Sequence, residues 1–527
     1  MNVSEVLTQT AQRYPSKPAI VFRDNPITFS GLRDTVFQLA DGLLKLGIKK
    51  SDRVAVYLPN CPEYVYSYLA LFSIGATVVP LDFMLTEEEL ANCLNHCQGK
   101  ALIAKEKESL SLVSLKSKVA SLADIIVLGS GNPGFNPLTG ISRATPVDEW
   151  RMGTPPLRGS RSFEEILSKG SAITPDIKID DKDPALIMYT SGTTGQAKGI
   201  LLNYRHLDGT PEAMKHFVDL SDQDVKISPL PLSHSGGLIY IQNCIVFGIT
   251  LILMERFQPL EFLKNIQKYR VTCFHMVPSM YYAILHLKEF ESFDLSSLRW
   301  LVVFGAPSDP HSLRRFHQYC PNAHLLNGWG MTETCPPNTV IPLGSKKIES
   351  VGVPAPNCQV RIVAEDNRQL QQGEVGEIVI KGWVVMDGYY KEPRLTEEVM
   401  RDGWFHTGDL GRFDEEGFLY IVGRKKDMIK VSGEIVYSFE VENALLKHAA
   451  VQEAAVVGMP DRLRGEMVKA FVVFKKEVQS TPEELRSFCR EHLAHFKVPH
   501  SIEVRDSLPK TPSGKIQKEK LKAQEII

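Results

Sequence analysis

Apolar residues in the first quarter of the chain fall into two patterns. Short continuous runs alternate with longer stretches in which they recur every three or four positions. The first pattern reads as buried strands, the second as amphipathic helices. Together they predict helices over 3–14, 28–46, 64–74 and 87–96, and strands over 18–23, 53–58, 76–81, 101–104 and 125–128. Thr28 or Ser30 is placed to cap the second helix. Residues 129–162 are rich in Gly, Pro, Ser and Arg and lack periodicity, so they read as a long surface excursion. A strand at 185–188 follows, and the alternation resumes over 225–230, 238–254, 259–269, 273–277, 298–304 and 323–326. The 238–254 stretch comes nearest to a membrane span. Gln242, Asn243 and Gly248 interrupt it and no charged belts flank it, so a buried helix and a buried strand fit better.

Strands alternating with long helices predict an α/β fold on mostly parallel sheets. From 360 to 420 the strands shorten and are split by Gly and charged turns. That pattern predicts a small β-barrel-like subdomain, mostly antiparallel, over about residues 355–423. The last hundred or so residues read as a small α+β unit: helix 439–448, strands 451–458 and 468–474, helix 482–492, then 499–504. The polar joint Gly423-Arg424-Lys425-Lys426-Asp427 divides a large N-terminal domain, 1–423, from a C-terminal domain, 424–527.

Composition narrows this picture. A chain of 527 residues, 43% hydrophobic, is long enough for several domains with ordinary cores. A net charge of −2 gives no reason to expect nucleic acid. Nine scattered cysteines fit a reducing, cytoplasmic setting, and the N-terminus lacks the apolar core of a signal peptide. Peripheral membrane contact and a homodimer stay open. Cys93, His96 and Cys97 have helical spacing, but no second Cys/His pair accompanies them, so core packing is expected over a metal site.

The strand at 185–188 runs into Tyr189-Thr190-Ser191-Gly192-Thr193-Thr194-Gly195, with Lys198 and Gly199 close behind. Gly192 and Gly195 permit a tight turn and close approach to a ligand. Five hydroxyls between Tyr189 and Thr194, with free backbone N–H groups, suit phosphate oxygens. Lys198 adds a mobile point charge. The spacing G-x-x-G-x-x-K-G, without Gly-Lys-Ser/Thr, excludes a Walker A loop. A solvated Ser/Thr/Gly linker is the plain alternative, yet linkers rarely follow a buried strand with a positioned lysine.

Further stretches carry candidate chemistry. His234 sits in a Ser/Gly turn, 231–237, before an apolar segment. Phe304-Gly305-Ala306-Pro307 follows a strand, where an open α/β sheet binds ligands. In Asn327-Gly328-Trp329-Gly330-Met331-Thr332-Glu333 two glycines bracket an aromatic, and Glu333 is a hard oxygen ligand suited to Mg²⁺ carried on phosphates. Asp409, in Thr407-Gly408-Asp409 at a strand-like turn, can accept two hydrogen bonds from vicinal hydroxyls. Val431-Ser432-Gly433-Glu434 offers a bare backbone, and Lys515 sits on a Pro/Gly turn within a lysine-rich tail. An exposed acid, an Asp turn and a solvated basic tail are the bland readings of the last motifs.

The 186–200 stretch resembles the signature loop of the adenylate-forming superfamily: acyl-CoA synthetases, peptide-synthetase adenylation domains and luciferases. That loop reads YTSGTTGxPKGV; Ala197 and Ile200 replace its proline and valine. The other stretches match the family's motifs in order, from 185 to 516. The resemblance implies that Thr190, Ser191, Gly192, Thr193, Thr194, Gly195 and Lys198 hold the β- and γ-phosphates of ATP. His234 then lies between acyl pocket and nucleotide. Gly305, Ala306 and Pro307 back the adenine, and Asn327 to Thr332 complete the nucleotide site. Glu333, with the Thr194 hydroxyl, would hold Mg²⁺, and Asp409 with Arg424 the ribose. Lys426 marks the hinge of a mobile C-terminal domain. Lys430, Ser432 and Gly433 border the path of coenzyme A, although Ile435 and Ser438 replace the Asn and Pro of the family's G-E-N-I-x-P. Lys515 is the adenylation lysine.

The implied reaction is ATP-dependent formation of acyl-AMP with release of pyrophosphate, then thioester formation with coenzyme A. Ser235, Gly236 and Gly237 are small and are expected to leave room for the acyl group. No cation stands out in these stretches to meet a second carboxylate. The expected substrate is an apolar monoacid, a medium- or long-chain fatty acid, with an aryl or alicyclic acid as rival. A stand-alone enzyme loading a carrier protein and a luciferase-like oxidase remain alternatives. A non-catalytic nucleotide-binding relative is disfavoured, because Glu333, Asp409, Arg424 and Lys515 are all present.

Overall fold

The computed structural model describes residues 1–107, 109–129, 160–191, 197–305, 310–475, 478, 480–510 and 516–524, with backbone alone at 191 and 197. Helix starts follow local chemistry. The Thr28 hydroxyl accepts from the Gly31 N–H at 3.1 Å and opens Phe29–Lys45. Thr86 and Glu89 form a capping box for Glu87–Cys97. Pro62 opens Pro62–Ser73, where its missing N–H costs nothing. That helix begins two residues before the apolar pattern at 64–74.

Two large sheets carry the N-terminal part. One has nine strands, in the order Val353–Pro354, Thr339–Val340, His324–Trp329, Trp300–Val303, Cys273–Met276, Val225–Ser228, Thr250–Leu253, Pro18–Phe22 and Asn25–Thr28. From His324–Trp329 to Pro18–Phe22 every pairing is parallel. The other has eight: Gly388–Tyr389, Ala197–Asn203, Pro184–Ser191, Thr77–Pro80, Arg53–Tyr57, Ala101–Lys105, Asp124–Leu128 and Arg161–Ser162. Its strands are parallel from Pro184–Ser191 onward. The largest apolar core joins the two sheets through helices Phe29–Lys45, Pro62–Ser73 and Ser235–Phe247. The 238–254 stretch is this last helix, closed by Gly248 at φ 69°, followed by the strand Thr250–Leu253. Among the described residues no helix is long and apolar enough to cross a membrane.

A third sheet is antiparallel throughout. It runs Gln359–Val363, Gly376–Lys381, Trp404–Phe413 and Met400–Arg401, with Leu419–Arg424 also on Trp404–Phe413. The fourth sheet lies in the C-terminal part: Glu434–Tyr437, Met428–Val431, Gly465–Phe474 and Val451–Asp461, with Ser501–Val504 beside Gly465–Phe474. Three residues, Lys425–Asp427, separate the last strand of the third sheet from Met428–Val431. The fold is thus α/β, with a large N-terminal part and a smaller α+β C-terminal one.

Some elements differ from the pattern. Helices Leu112–Lys118 and Phe163–Lys169 escape it because each is only two turns long. Of the 129–162 excursion, 130–159 lie outside the described residues; its end forms Arg161–Ser162 against Asp124–Leu128. Cys93 and Cys97 are buried in the core, and His96 Nδ1 meets the Tyr189 hydroxyl at 2.7 Å.

Candidate active site

Tyr189, Thr190 and Lys198 lie on paired strands. Pro184–Ser191 pairs antiparallel with Ala197–Asn203, with Thr190 opposite Lys198 and Tyr189 opposite Gly199. Thr190 and Lys198 therefore lie on strands, not in the loop the glycines suggest; ladder pairing with an apolar return strand extends the order further than the apolar run alone. Tyr189 leaves the set of phosphate hydroxyls. Its O–H donates to the Cys93 carbonyl at 3.1 Å and also meets His96. Gly192, Thr193, Thr194, Gly195, Ala306, Pro307 and Lys515 lie outside the described residues, and of Ser191 only the backbone is described.

Lys198 Nζ stands 5.2 Å from the Tyr389 ring centroid, and the Tyr389 hydroxyl donates to Glu333 Oε1 at 3.3 Å. Tyr389 is held opposite Ile200 by the short strand Gly388–Tyr389. One tyrosine thus links the hairpin to Glu333, a residue far away in sequence. Glu333 is buried, and burial raises its pKa above the ordinary carboxylate value despite the Tyr389 bond and the Arg424 charge. A buried carboxyl of this kind gains from a cation. Among the described residues no group of three or more His, Cys, Asp or Glu forms a metal site. The donor set suits a Mg²⁺ that arrives on phosphates and takes one protein carboxylate.

The strand His324–Trp329 brings Asn327, Gly328 and Trp329 to the same edge. Asn327 Nδ2 donates to the Ser350 carbonyl at 3.1 Å, which fixes the loop beside it. A Cβ on Gly328 would sit 2.1 Å from Phe304 Cε1, and one on Gly330 2.7 Å from Pro336 Cβ. Both glycines are therefore required by close packing. Trp329 Nε1 donates to Asp409 Oδ2 at 2.9 Å. Arg424 Nε lies 2.8 Å from the other oxygen, an ion pair without hydrogen-bond alignment. Asp409 itself lies within the strand Trp404–Phe413, opposite Arg424, and not in a turn. Gly408, at φ 72°, carries the irregularity that turns the carboxylate toward Trp329.

His234 precedes the helix Ser235–Phe247, and its Nε2 lies 3.0 Å from Asp82 Oδ2. Burial opposes ionisation of Asp82, but the His234 bond, the Met84 N–H and Lys107 outweigh it and hold its pKa below the usual value. Ser235 Oγ and Thr332 Oγ1 are 3.5 Å apart, which brings the helix start to the Glu333 turn. The expected room beside Gly237 is absent. A Cβ there would lie 2.1 Å from the Pro231 carbonyl oxygen, so the loop's own backbone fills the space. Gly236 has Leu230 Cδ1 at 3.2 Å from the same position. Gly305 is exposed at φ 88°.

Arg424 leads into the joint, where Lys426 is exposed and Lys425 Nζ reaches Glu377 Oε2 at 3.0 Å. Glu377 Oε1 also accepts from the Gly408 N–H at 3.2 Å, and His406 Nδ1 lies 3.2 Å from Oε2. Burial disfavours the Glu377 charge, yet Lys425 and His406 prevail and lower its pKa. Ser432 and Gly433, at φ 51° and 90°, form the two-residue turn between Met428–Val431 and Glu434–Tyr437. This turn is an exposed tip, with no atom within 4 Å of a Gly433 Cβ, so Gly433 lines no tunnel here. Lys430 is exposed on the same hairpin. Asp82, Glu377 and Tyr389 are absent from the sequence-derived set. Asp82 alone had a signal: it follows the C-terminal end of a parallel strand, Thr77–Pro80.

A buried carboxyl, an Asp–Arg pair and a strand lysine make up the candidate site on the two mostly parallel sheets. The family model for AMP-binding enzymes matches residues 7–390, and that for the AMP-binding enzyme C-terminal domain matches 440–515. A long-chain-fatty-acid–CoA ligase of Bacillus subtilis (strain 168) is 36% identical over 99% of this chain and 94% of its own. A feruloyl-CoA synthase of Amycolatopsis sp is 34% identical over 96% of each chain. Among solved structures, the anthranilate CoA ligase AuaEII in complex with anthranoyl-AMP superposes with a TM-score of 0.90, at 24% identity, over 99% of this chain and 97% of that one. The chain belongs to the AMP-binding enzymes of the adenylate-forming superfamily. Its enzyme class is acid–thiol ligase.

Proposed function

We propose that the protein activates a carboxylic acid with ATP to acyl-AMP and pyrophosphate, then transfers the acyl group to the thiol of coenzyme A. The observation that carries this reading is Glu333. It is a buried carboxyl whose one side-chain hydrogen bond, among the described residues, comes from Tyr389, and whose pKa responds to Arg424 and Asp409. Bound Mg²⁺ would supply charge neutralisation for the phosphates at Glu333, with Thr194 as a further ligand. Lys198 and residues 190–195 hold the β- and γ-phosphates, and Asp409 with Arg424 the ribose hydroxyls. Gly305, Ala306 and Pro307 back the adenine. His234, fixed by Asp82, guards the entrance of the acyl group. Lys515 bridges the acid and the α-phosphate while the carboxylate oxygen attacks phosphorus and the pyrophosphate leaves. Positioning and charge, rather than covalent chemistry by the protein, carry this step.

The second step needs Lys515 removed and the thiol admitted. We assign the hinge to Lys425–Asp427, with Lys426 at its centre, between domains 1–423 and 424–527. Rotation there exchanges Lys515 for the Lys430–Gly433 tip. The acid is an aliphatic one of medium or long chain; the Bacillus relative, named for long-chain fatty acids and matched nearly end to end, supports this. An aryl acid is the second reading, supported by the Amycolatopsis relative. Pyrophosphate release across a panel of acids, with and without coenzyme A and with thioester mass checked, tests the assignment. Turnover that needs coenzyme A supports it. Adenylate without thioester redirects it to a carrier protein, and silence with every acid overturns it.

A further inference from the structure

Beneath the helix Ser235–Phe247 the nine-stranded sheet presents an unusual surface. Lys226, Cys273 and Trp300 are register partners on adjacent parallel strands, so their side chains form one row on one face. Ser228 and His275 follow two residues along their strands, on the same face. Tyr240 and Asn243, a turn apart, cover this row from the helix. Lys226 Nζ lies 5.0 Å from the Trp300 ring centroid and 5.4 Å from that of Tyr240. The Tyr240 and His275 rings are 5.3 Å apart.

Every one of these groups is buried, and most have nothing to bond. Among the described residues, Lys226 Nζ, Ser228 Oγ, both amide atoms of Asn243, both ring nitrogens of His275 and Trp300 Nε1 find no hydrogen-bond partner. They are seven of the fifteen such side-chain atoms among the described residues. Buried polar groups in folded proteins are almost always satisfied, so a concentration of unpartnered ones points to a polar guest. A wholly buried ammonium asks for an anion in particular. Asp224, on the same face, is already committed to Arg299 and Thr272, each at 2.7 Å. Burial lowers the Lys226 pKa to about 8.

The row adjoins residues assigned to the nucleotide and acyl sites: Phe304 packs against His275, ring centroids 5.7 Å apart, and its Cε1 lies where a Cβ on Gly328 would fall. Along the covering helix, residue 240 lies roughly 9 Å beyond residue 234 at 1.5 Å per residue. No cation stands out in the stretches expected to form the pocket; Lys226 precedes them on the strand Val225–Ser228. We propose that Lys226, His275, Asn243 and Ser228 form the far wall of the acyl pocket, and that the acid this enzyme activates carries a second carboxylate received by Lys226. This refines the acid-activating reading and rests on it. Medium-chain α,ω-dicarboxylic acids have the required span and an apolar middle.

The test compares adipic, suberic and sebacic acids with hexanoic, octanoic and decanoic acids, using the full-length enzyme with Mg·ATP and coenzyme A. Wild-type kcat/KM is expected to favour a diacid over its monoacid by about a hundredfold, because a buried site built for a polar group rejects the analogue lacking it. Lys226→Met should lower diacid kcat/KM far more than monoacid kcat/KM and so abolish that preference. Monoacids preferred by the wild type, or both series lowered equally by Lys226→Met, would overturn the inference and leave the ligase reading standing. No turnover in either series, with thioester formed from an aryl acid, would also overturn it. Silence with all acids would overturn both. If Lys226→Met does not fold, the wild-type ratio decides alone.

Discussion

At the residue scale, the site turns on single groups whose environment sets their charge. Glu333 is the clearest case. Its raised pKa means the folded enzyme binds a proton there more readily than the unfolded chain, so its ionisation weakens the fold as pH rises above the ordinary value of about 4.3. Mg·ATP held at Glu333 as proposed would reverse that balance. The shift in Tm produced by Mg·ATP should therefore grow between acidic and neutral pH, and Glu333→Gln should flatten the trend. The same variant is expected to slow pyrophosphate release by about a hundredfold or more, as for other charge-stabilising groups. Trp329→Phe tests the ribose side. It removes the Nε1 bond to Asp409 and should raise the KM for ATP about tenfold, for a lost bond of about 1–1.5 kcal/mol. Motif and chemistry single out Glu333, Asp409 and Arg424 in the sequence; the structure pairs Asp409 with Arg424 and buries Glu333, while their roles stay part of the proposal. Tyr389 and Asp82 were not legible in the sequence, since each matters only through a partner that the fold brings from more than fifty positions away.

At the element scale, local rules and pairing share the work. Helices Pro259–Tyr269 and Pro482–His492 match the hydrophobic pattern end to end, because proline at the start and strong amphipathicity mark them. The hairpin at 184–203 did not declare itself. Its turn chemistry resembles a loop, and only the return strand reveals the ladder. Gly328 belongs to this scale as well. Gly328→Ala would drive a methyl into Phe304 and should destabilise the fold by about 1–3 kcal/mol, visible as a lowered Tm. Glu377 ties the strand Gly376–Lys381 to the joint through Lys425. Its depressed pKa contributes stability above the ordinary glutamate value of about 4.3, lost as pH falls through the lower folded value. Glu377→Gln should remove that acid-dependent loss and cost about 1.5–3 kcal/mol at neutral pH, measured by denaturant unfolding.

At the scale of the whole molecule, two parallel sheets form the platform, and a small domain follows across three residues. The layer order was legible from the alternation of strands and helices; the strand orders were not, because parallel neighbours are distant in sequence. Lys226 illustrates the remaining gap. Nothing in the run Val225–Ser228 distinguishes a strand lysine facing solvent from one facing a helix; only the covering segment, Ser235–Phe247, decides. The two-step scheme makes its own prediction at this scale. Lys515→Ala should suppress acyl-AMP formation and spare thioester formation from supplied acyl-AMP, read by separate assays of each half-reaction. Equal loss in both would refute the division of labour between the faces of the small domain.

The Ser432–Gly433 turn holds a last consequence. Its two residues are bound on both sides by the ladder of Met428–Val431 and Glu434–Tyr437, and the Ser432 N–H is anchored to the Arg464 carbonyl at 2.8 Å. Such a tip has already surrendered its conformational freedom. A loop that ordered itself only on meeting the thiol would forfeit about 1–2 kcal/mol of backbone entropy for each residue frozen, whereas this one arrives as a finished part. In the proposed rotation, its arrival time would be set by the swing of the domain alone.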